Sequence, residues 1–469
     1  MIRAIFQMAL VATSILALGC GGGVTTIGGG AGGGTGAGKG GGNGSADGGG
    51  GSGNGSGGGT GGGASNCVDV DLDSFNSCNE CNDNDATVFP GAKETLNGKD
   101  DDCDGKIDNK VDGNDGDKDG FPYQADGGGD CNDAEVLVGP TAIEDPQNKV
   151  DDNCDGTVDE ATLLCDDAAT AATGDSFARA IGLCSTAKFP MVTSATFPVG
   201  QPSSRGVRTK FGDGFLPRAG SKMIMLSTGE AKDLYDAPTY HPQDGFTFNT
   251  SNPHPLYSPP RCAAPATTPD AKDLSELTLK LKVPQNAKSL SFNFSFFSAE
   301  YPEWVCTEYN DRFLAILESS ALDPTKLPAT QCITGAAVPT CNISFDDKNQ
   351  PVSINNGFFD VCVSATGGTG TSAFTNTCTK PTSLLNKTGY EELRTSQAGS
   401  QFPGQVKMAG GATGWLNTKA PVKPGETVTL RFLVLDEGDA NLDSAVLIDN
   451  FKWETTSVAA PVTVDPGIN

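Results

Sequence analysis

Four short segments of this 469-residue chain place oxygen-bearing side chains at alternate positions: Asp69, Asp71, Asp73; Asp100, Asp102, Asp104; Asp115, Asp117, Asp119; and Asp151, Asn153, Asp155. In the last three a glycine follows at once, Gly105, Gly120 and Gly156. Oxygens at places 1, 3 and 5, followed by a residue that permits a sharp turn, open a calcium loop. A hard cation takes six to eight oxygens, and alternation points them at one centre. Place 12 of the first and third segments holds Glu80 and Asp126, where such a loop supplies its last carboxylate. The second and fourth have Asp108 and Asp159 at place 9 and no acid at 12, so their final ligand must come from elsewhere in the region or from water.

The elements that position these oxygens repeat. Laid over one another, 81–108 and 131–159 bring Cys81 to Cys131, Pro90 to Pro140, Glu94 to Glu144 and, after one inserted residue, Cys103 to Cys154. A solvated acidic linker is the bland alternative, but a random Asp-rich run would not hold Cys, Pro, Glu and Gly in register twice. Helices are not expected around the loops, because Pro122 and Gly127–Gly129 break any helix after the third; disulfides take over the support. The two histidines, His241 and His254, lie outside the block, so its ligand types suit neither zinc nor copper.

"DCNDAEVLVGP", "NGKDDDCDGKID" and "VDDNCDGTVDE" resemble the MopE-type metal-binding repeat of exported bacterial proteins and, more loosely, the calcium-wrapping thrombospondin type 3 repeats. That resemblance implies metal binding over about 100 residues. The first copy departs from the pattern in Ser74, where glycine is usual, and in an extra Cys78.

Charge is concentrated here. Between 66 and 167 there are 29 Asp and Glu against 6 Lys, a net of −23 out of −26 for the chain. Such a field repels nucleic acid and anionic headgroups, so nucleic-acid binding is excluded and cations or basic surfaces are favoured. Upstream, Arg3 followed by the apolar run 4–18 and "LALGC" ending at Cys20 reads as an export signal. "ALGC" resembles a bacterial lipobox, with Ala17 where leucine is commonest; a plain secretory signal is the alternative. With Cys20 acylated, the membrane is a partner through lipid, and the protein is expected to be an exported lipoprotein at the outer membrane or cell surface. Removing Cys20 leaves 14 of 15 cysteines, an even number that fits up to seven disulfides in an oxidising compartment. Residues 21–65 hold 27 of the 62 glycines and read as a disordered spacer with a reach of roughly 40 Å.

The larger remainder reads as β structure. After a helix-like piece in which Asp175 could cap "SFARAIGLC", with Phe177, Ile181 and Cys184 on one face, strands dominate. Alternation puts Leu277, Leu279, Leu281 and Val283 on one face, likewise Leu290, Phe292, Phe294 and Phe296, and Val428, Leu430, Phe432 and Val434. The expected fold is a mainly β, jelly-roll-like antiparallel sandwich, preceded by small disulfide-stapled, loop-rich calcium-binding repeats and the glycine-rich linker. Boundaries fall at 1–20 signal, 21–65 linker, 66–110 and 111–160 repeats, 161–200 helix-containing connector, 201–458 sandwich and 459–469 tail. "MIMLSTGEA", "FFSAEYPEWVCTEYNDRFLAIL", "PVSINNG" and "LDEGDANLDSAVLIDNF" resemble the choice-of-anchor L family of bacterial surface proteins.

Two polar clusters stand out inside that region: Glu300, Glu303, Asn310 and Asp311, and Asp436, Asp439, Asn441 and Asp443. They could join at one edge to hold a structural calcium, form a ligand rim, or simply cap strands as turn residues. No HExxH, GxSxG or P-loop pattern is present, so no enzyme activity is expected. The function expected is a surface lipoprotein whose calcium-stiffened repeats act as a stalk presenting the sandwich for structural or adhesive contact with a protein or glycan. A carbohydrate-binding module is the alternative, favoured if Trp304 or Trp415 stands exposed beside the acidic loops; a hydrolase is more distant.

Overall fold

Among the described residues, apolar alternation becomes two antiparallel sheets of seven strands each. The computed structural model describes residues 67–467 apart from 94–98, 104, 106–114, 125–126, 162–163, 170–172, 187–188, 246, 258–267, 308, 356–357, 368–373, 396–397, 399 and 401. The signal, Cys20, the glycine-rich linker and the candidate ligands Asp104, Asp108 and Asp126 therefore lie outside the described residues. Along one sheet the order is Val192–Thr196, Ala271–Lys282, Thr427–Glu437, Arg312–Glu318, Thr340–Asn342. Along the other it is Val462–Val464, Leu416–Pro421, Ser289–Ser298, Ser444–Glu454, Met223–Ser227, Arg205–Arg208.

The predicted faces meet between the sheets. Leu277, Leu279 and Leu281 of one and Phe292, Phe294 and Phe296 of the other enter a single core. Phe292 stands edge-on to Phe432 at 4.9 Å across the gap. The outer faces, however, are buried too. Phe297, Met223, Met225, Ala445 and Leu447 pack under Phe211, Phe215 and Tyr390, and Leu314, Ile316, Leu433 and Leu435 form a third cluster with Leu256 against it. Long connections thus cover both sides, which is why "MIMLS" and "FLAIL" are continuous apolar runs instead of alternating ones. Val462–Val464, within the expected tail, is an edge strand pairing Leu416–Pro421.

The helix is Gly174–Ala180, and its cap is Thr173, whose Oγ1 accepts from Ser176 N at 3.3 Å. Asp175, the expected cap, sits in the first turn instead, where its charge favours the helix N-terminus. Phe177, Ile181 and Cys184 are buried as expected, and Cys184 bonds Cys165. Bridges join Cys67–Cys78, Cys81–Cys103, Cys131–Cys154, Cys332–Cys341 and Cys362–Cys378, and Cys306 is also disulfide-bonded. Among the described residues no helix is long and apolar enough to cross a membrane.

Candidate metal centre

Each repeat is a turn-rich coil around an equivalent disulfide, to which the first adds Cys67–Cys78, with little apolar support: in the first, Phe75 stacks on Phe89 at 5.3 Å and Val88 is buried. The two copies fold alike. Cys81–Cys103 and Cys131–Cys154 are equivalent bridges. Phe89 N donates to Asp101 O at 3.0 Å, as Gly139 N donates to Asp152 O at 2.8 Å. Gly105 N and Gly156 N each donate to the first aspartate of their loop, Asp100 Oδ2 and Asp151 Oδ2, at 2.9 Å. These glycines have φ of 89° and 98°, left-handed values that explain the residue type.

In the first copy Asp69 folds the loop on itself, accepting from Leu72 N at 2.7 Å and Ser74 N at 3.2 Å. Ser74 adopts φ 88°, so a non-glycine residue carries the left-handed turn here, and Cys67–Cys78 pinches the loop closed. The result gathers carboxylate oxygens of Asp71, Asp73 and Glu80 within 4.8 Å of one another, and likewise those of Asp69, Asp71 and Asp83. Both oxygens of Asp71, both of Glu80 and Asp73 Oδ2 are shut from solvent with no hydrogen-bond partner. Desolvation and the neighbouring carboxylates of Asp83, Asp73 and Asp71 push Glu80 up to about 7. Five sequestered, unpaired anionic oxygens are costly unless a cation joins them.

The second copy builds the same arrangement with Asp115, Asp117 and Asp119 within 4.8 Å. Asp115 accepts from Lys118 N at 2.6 Å and Gly120 N at 3.0 Å, repeating the role of Asp69. The acid at the place of Glu80 is Asp130, which feels the charges of Asp119 and Asp117. It is wholly buried, Oδ2 lacks a partner, as does Asp117 Oδ2, and burial, with the charges of Asp119, Asp117 and Asp133, raises its pKa. Asp130 directly precedes Cys131 as Glu80 precedes Cys81. The glycine run allows this return: a Cβ on Gly128 would sit 1.8 Å from Pro122 O, while Asp130 N donates to that same carbonyl at 3.1 Å. Asp83 and Asp133 also match, accepting from Val70 N at 3.0 Å and Gly116 N at 2.7 Å.

The second and fourth loops are organised differently. Glu144 clamps the fourth, its two oxygens accepting from Asn153 N at 2.9 Å and Asp159 N at 3.1 Å. Asp159 in turn accepts from Lys149 N at 3.0 Å, which ties the loop ends together. Asp155 N bonds both Asp151 and Asn153. Glu160 places Oε1 on Asn153 Nδ2 at 2.7 Å and leaves Oε2 buried and unpartnered, making it the candidate for the ligand missing at place 12. Of the second loop, Asp102 is buried and Asp100 holds the turn. Asp83, Asp130 and Glu160 were not evident from loop spacing. The signal for Asp83 and Asp130 was their equivalent placement around Cys81 and Cys131.

Every converging group in these sites offers oxygen. Cys131 and Cys154 lie beside Asp130 but are bonded to each other, so no thiolate is available. The oxygen-only donor set fits a hard cation and suits soft or imidazole-preferring metals poorly.

The second repeat is also seated on the sandwich. Ile143 N donates to Asn286 Oδ1 at 2.9 Å, and Asn286 Nδ2 returns a bond to Ile143 O at 2.7 Å. Gln285 Nε2 donates to Asp119 Oδ2 at 2.7 Å, and Thr455 Oγ1 to Asp145 Oδ2 at 3.1 Å.

In the sandwich, Glu300, Asp311, Asp436 and Asp443 come from four strand ends and are all buried. Glu300 Oε2 accepts from Asp311 N at 3.3 Å, while Asp311 accepts from Glu437 N at 3.1 Å and Ser444 Oγ at 2.7 Å. Burial first, and mutual repulsion second, hold Glu300 and Asp436 well above the usual carboxylate range. Asn310 instead bonds Asn355 at 2.8 Å, and Asp439 is a half-exposed turn residue accepting from Asn441 N. Trp304 and Trp415 are half-buried and pack against the apolar clusters.

Disulfide-stapled, carboxylate-lined loops precede an antiparallel sandwich, and the family comparisons divide the chain in the same way. Residues 219–452 match the choice-of-anchor L domain; residues 81–109 and 130–160 match the MopE-type family described as "Putative metal-binding motif". The chain thus carries a choice-of-anchor L domain preceded by two such motifs, the combination of a surface-anchored protein with a metal-binding region. No curated protein matches it.

Proposed function

We propose that the two repeats bind calcium and thereby form a stiff mount through which a lipid-anchored chain presents its sandwich domain at the cell surface for structural or adhesive contact. The observation carrying this reading is the set of five sequestered, unpartnered oxygens on Asp71, Asp73 and Glu80. With so little apolar burial, a repeat of this kind draws folding energy from its disulfides and its ions. Docking of the second repeat through Gln285 and Asn286 supports rigidity at the junction. Anchoring rests on Cys20 as the acylated residue. No catalytic role is assigned. The test is limited proteolysis of the full chain with calcium or EDTA: calcium should protect 67–160, and equal cleavage in both would remove the stiffening role.

A carbohydrate- or small-ligand-binding reading comes second. Trp304 and Trp415 are engaged in packing, which weakens it. A cavity of about 590 Å³ between the second repeat and the sandwich, walled by Ile143, Phe189, Met191, Phe451 and Trp453, is the place such a ligand would occupy. Oligosaccharide titration followed by tryptophan fluorescence separates the two readings.

A further inference from the structure

We propose that the sandwich holds a hard divalent cation of its own, of the calcium class, between its sheets, ligated by Asp436 with Glu300, Asp311 and Asp443 and completed by the Tyr390 hydroxyl. This site is independent of the repeats. Its residues come from both sheets at the same end: Glu300 follows Ser289–Ser298, Asp311 precedes Arg312–Glu318, Asp436 lies in Thr427–Glu437, and Asp443 precedes Ser444–Glu454. All four are at least 97% buried. The buried cation next to them, Arg312, is committed to Glu437, which it meets at 2.7 Å.

Two buried polar atoms stand unanswered at this place. Asp436 Oδ1 has no hydrogen-bond partner, nor does the hydroxyl of the fully buried Tyr390. Tyr390 feels the charges of Asp443, Asp436 and Asp311, so its ring ends in the same acidic surroundings. Asp311 is oriented by the bonds it accepts from the Glu437 N–H and from Ser444 Oγ. Among the described residues no three carboxylate oxygens of this cluster lie within 4.8 Å. The spacing leaves room for a neutral oxygen, the unpartnered Tyr390 hydroxyl, beside the carboxylates, a mixture calcium accepts. A single divalent ion would offset anions that the interior otherwise leaves uncompensated.

Bound calcium is counted by mass spectrometric metal analysis of full chain after gel filtration, for wild type, D436N, Y390F and the repeat variant D71N/D117N. D436N should lose one equivalent, and Y390F should bind that equivalent about tenfold more weakly. D71N/D117N should lose the ions of the first and third loops and retain the sandwich ion. Unchanged calcium content in folded D436N, with unchanged affinity in Y390F, would overturn the proposal and indicate carboxyls that share protons instead. Where D436N fails to fold, the Y390F affinity decides: one equivalent bound about tenfold more weakly supports the site, and an unchanged affinity overturns it.

Discussion

Gln285, in the turn between two sandwich strands, donates from Nε2 to Asp119 Oδ2 at 2.7 Å, and Asp119 is one of the three converging aspartates of the second repeat. One hydrogen bond therefore belongs both to the domain junction and to the cation loop. Orienting partners of this kind typically matter about 10- to 100-fold for affinity. Gln285→Ala is expected to weaken calcium binding at the second repeat by about tenfold and to leave the first repeat unchanged, as read by calorimetric titration.

Asp130 is the closing acid of the second copy. Asp130→Asn should abolish measurable calcium binding at the Asp115–Asp119 loop, whereas Glu135→Gln, an exposed acid of the same segment, should leave it intact. Equal affinities in the two variants would remove Asp130 from the ligand set.

Glu80 sets a pH dependence. Its folded, cation-free pKa is raised from 4.5 to about 7, so below 4.5 it is neutral in both states and its contribution to stability is fully present. That contribution is lost as pH rises through 7, where the folded state must carry the charge. The melting temperature of EDTA-treated protein should therefore fall between pH 4.5 and 7, calcium should restore it, and Glu80→Gln should flatten the profile.

The Cys131–Cys154 bridge closes a loop of sequence separation 23. Chain-entropy reasoning gives it about 3 kcal/mol. Cys131→Ser/Cys154→Ser should lower the denaturant midpoint of the second repeat accordingly, and excess calcium should recover part of the loss.

Much of this was readable from residue types. Register between the copies put Cys103 and Cys154 at equivalent places, and period-two alternation put Phe292, Phe294 and Phe296 in the inter-sheet core. Ligands outside the spacing template were hidden: Asp130 stands four places beyond Asp126, because the Gly127–Gly129 turn lengthens the loop without changing what it encloses. Thr173 displaced Asp175 as the helix cap because a short polar side chain one residue before the helix reaches Ser176 N. The acidity of the sandwich loops was plain in the sequence, but burial of Asp436 and exposure of Asp439 depend on which strand ends converge, a non-local fact that spacing does not encode.

Calcium titration into EDTA-stripped full-length protein, followed by calorimetry beside Glu80→Gln/Asp130→Asn, tests the central claim most directly. The account predicts saturable binding heat in the wild type and loss of the first- and third-loop sites in the double variant. No heat in the wild type, or an identical isotherm in the variant, would contradict it.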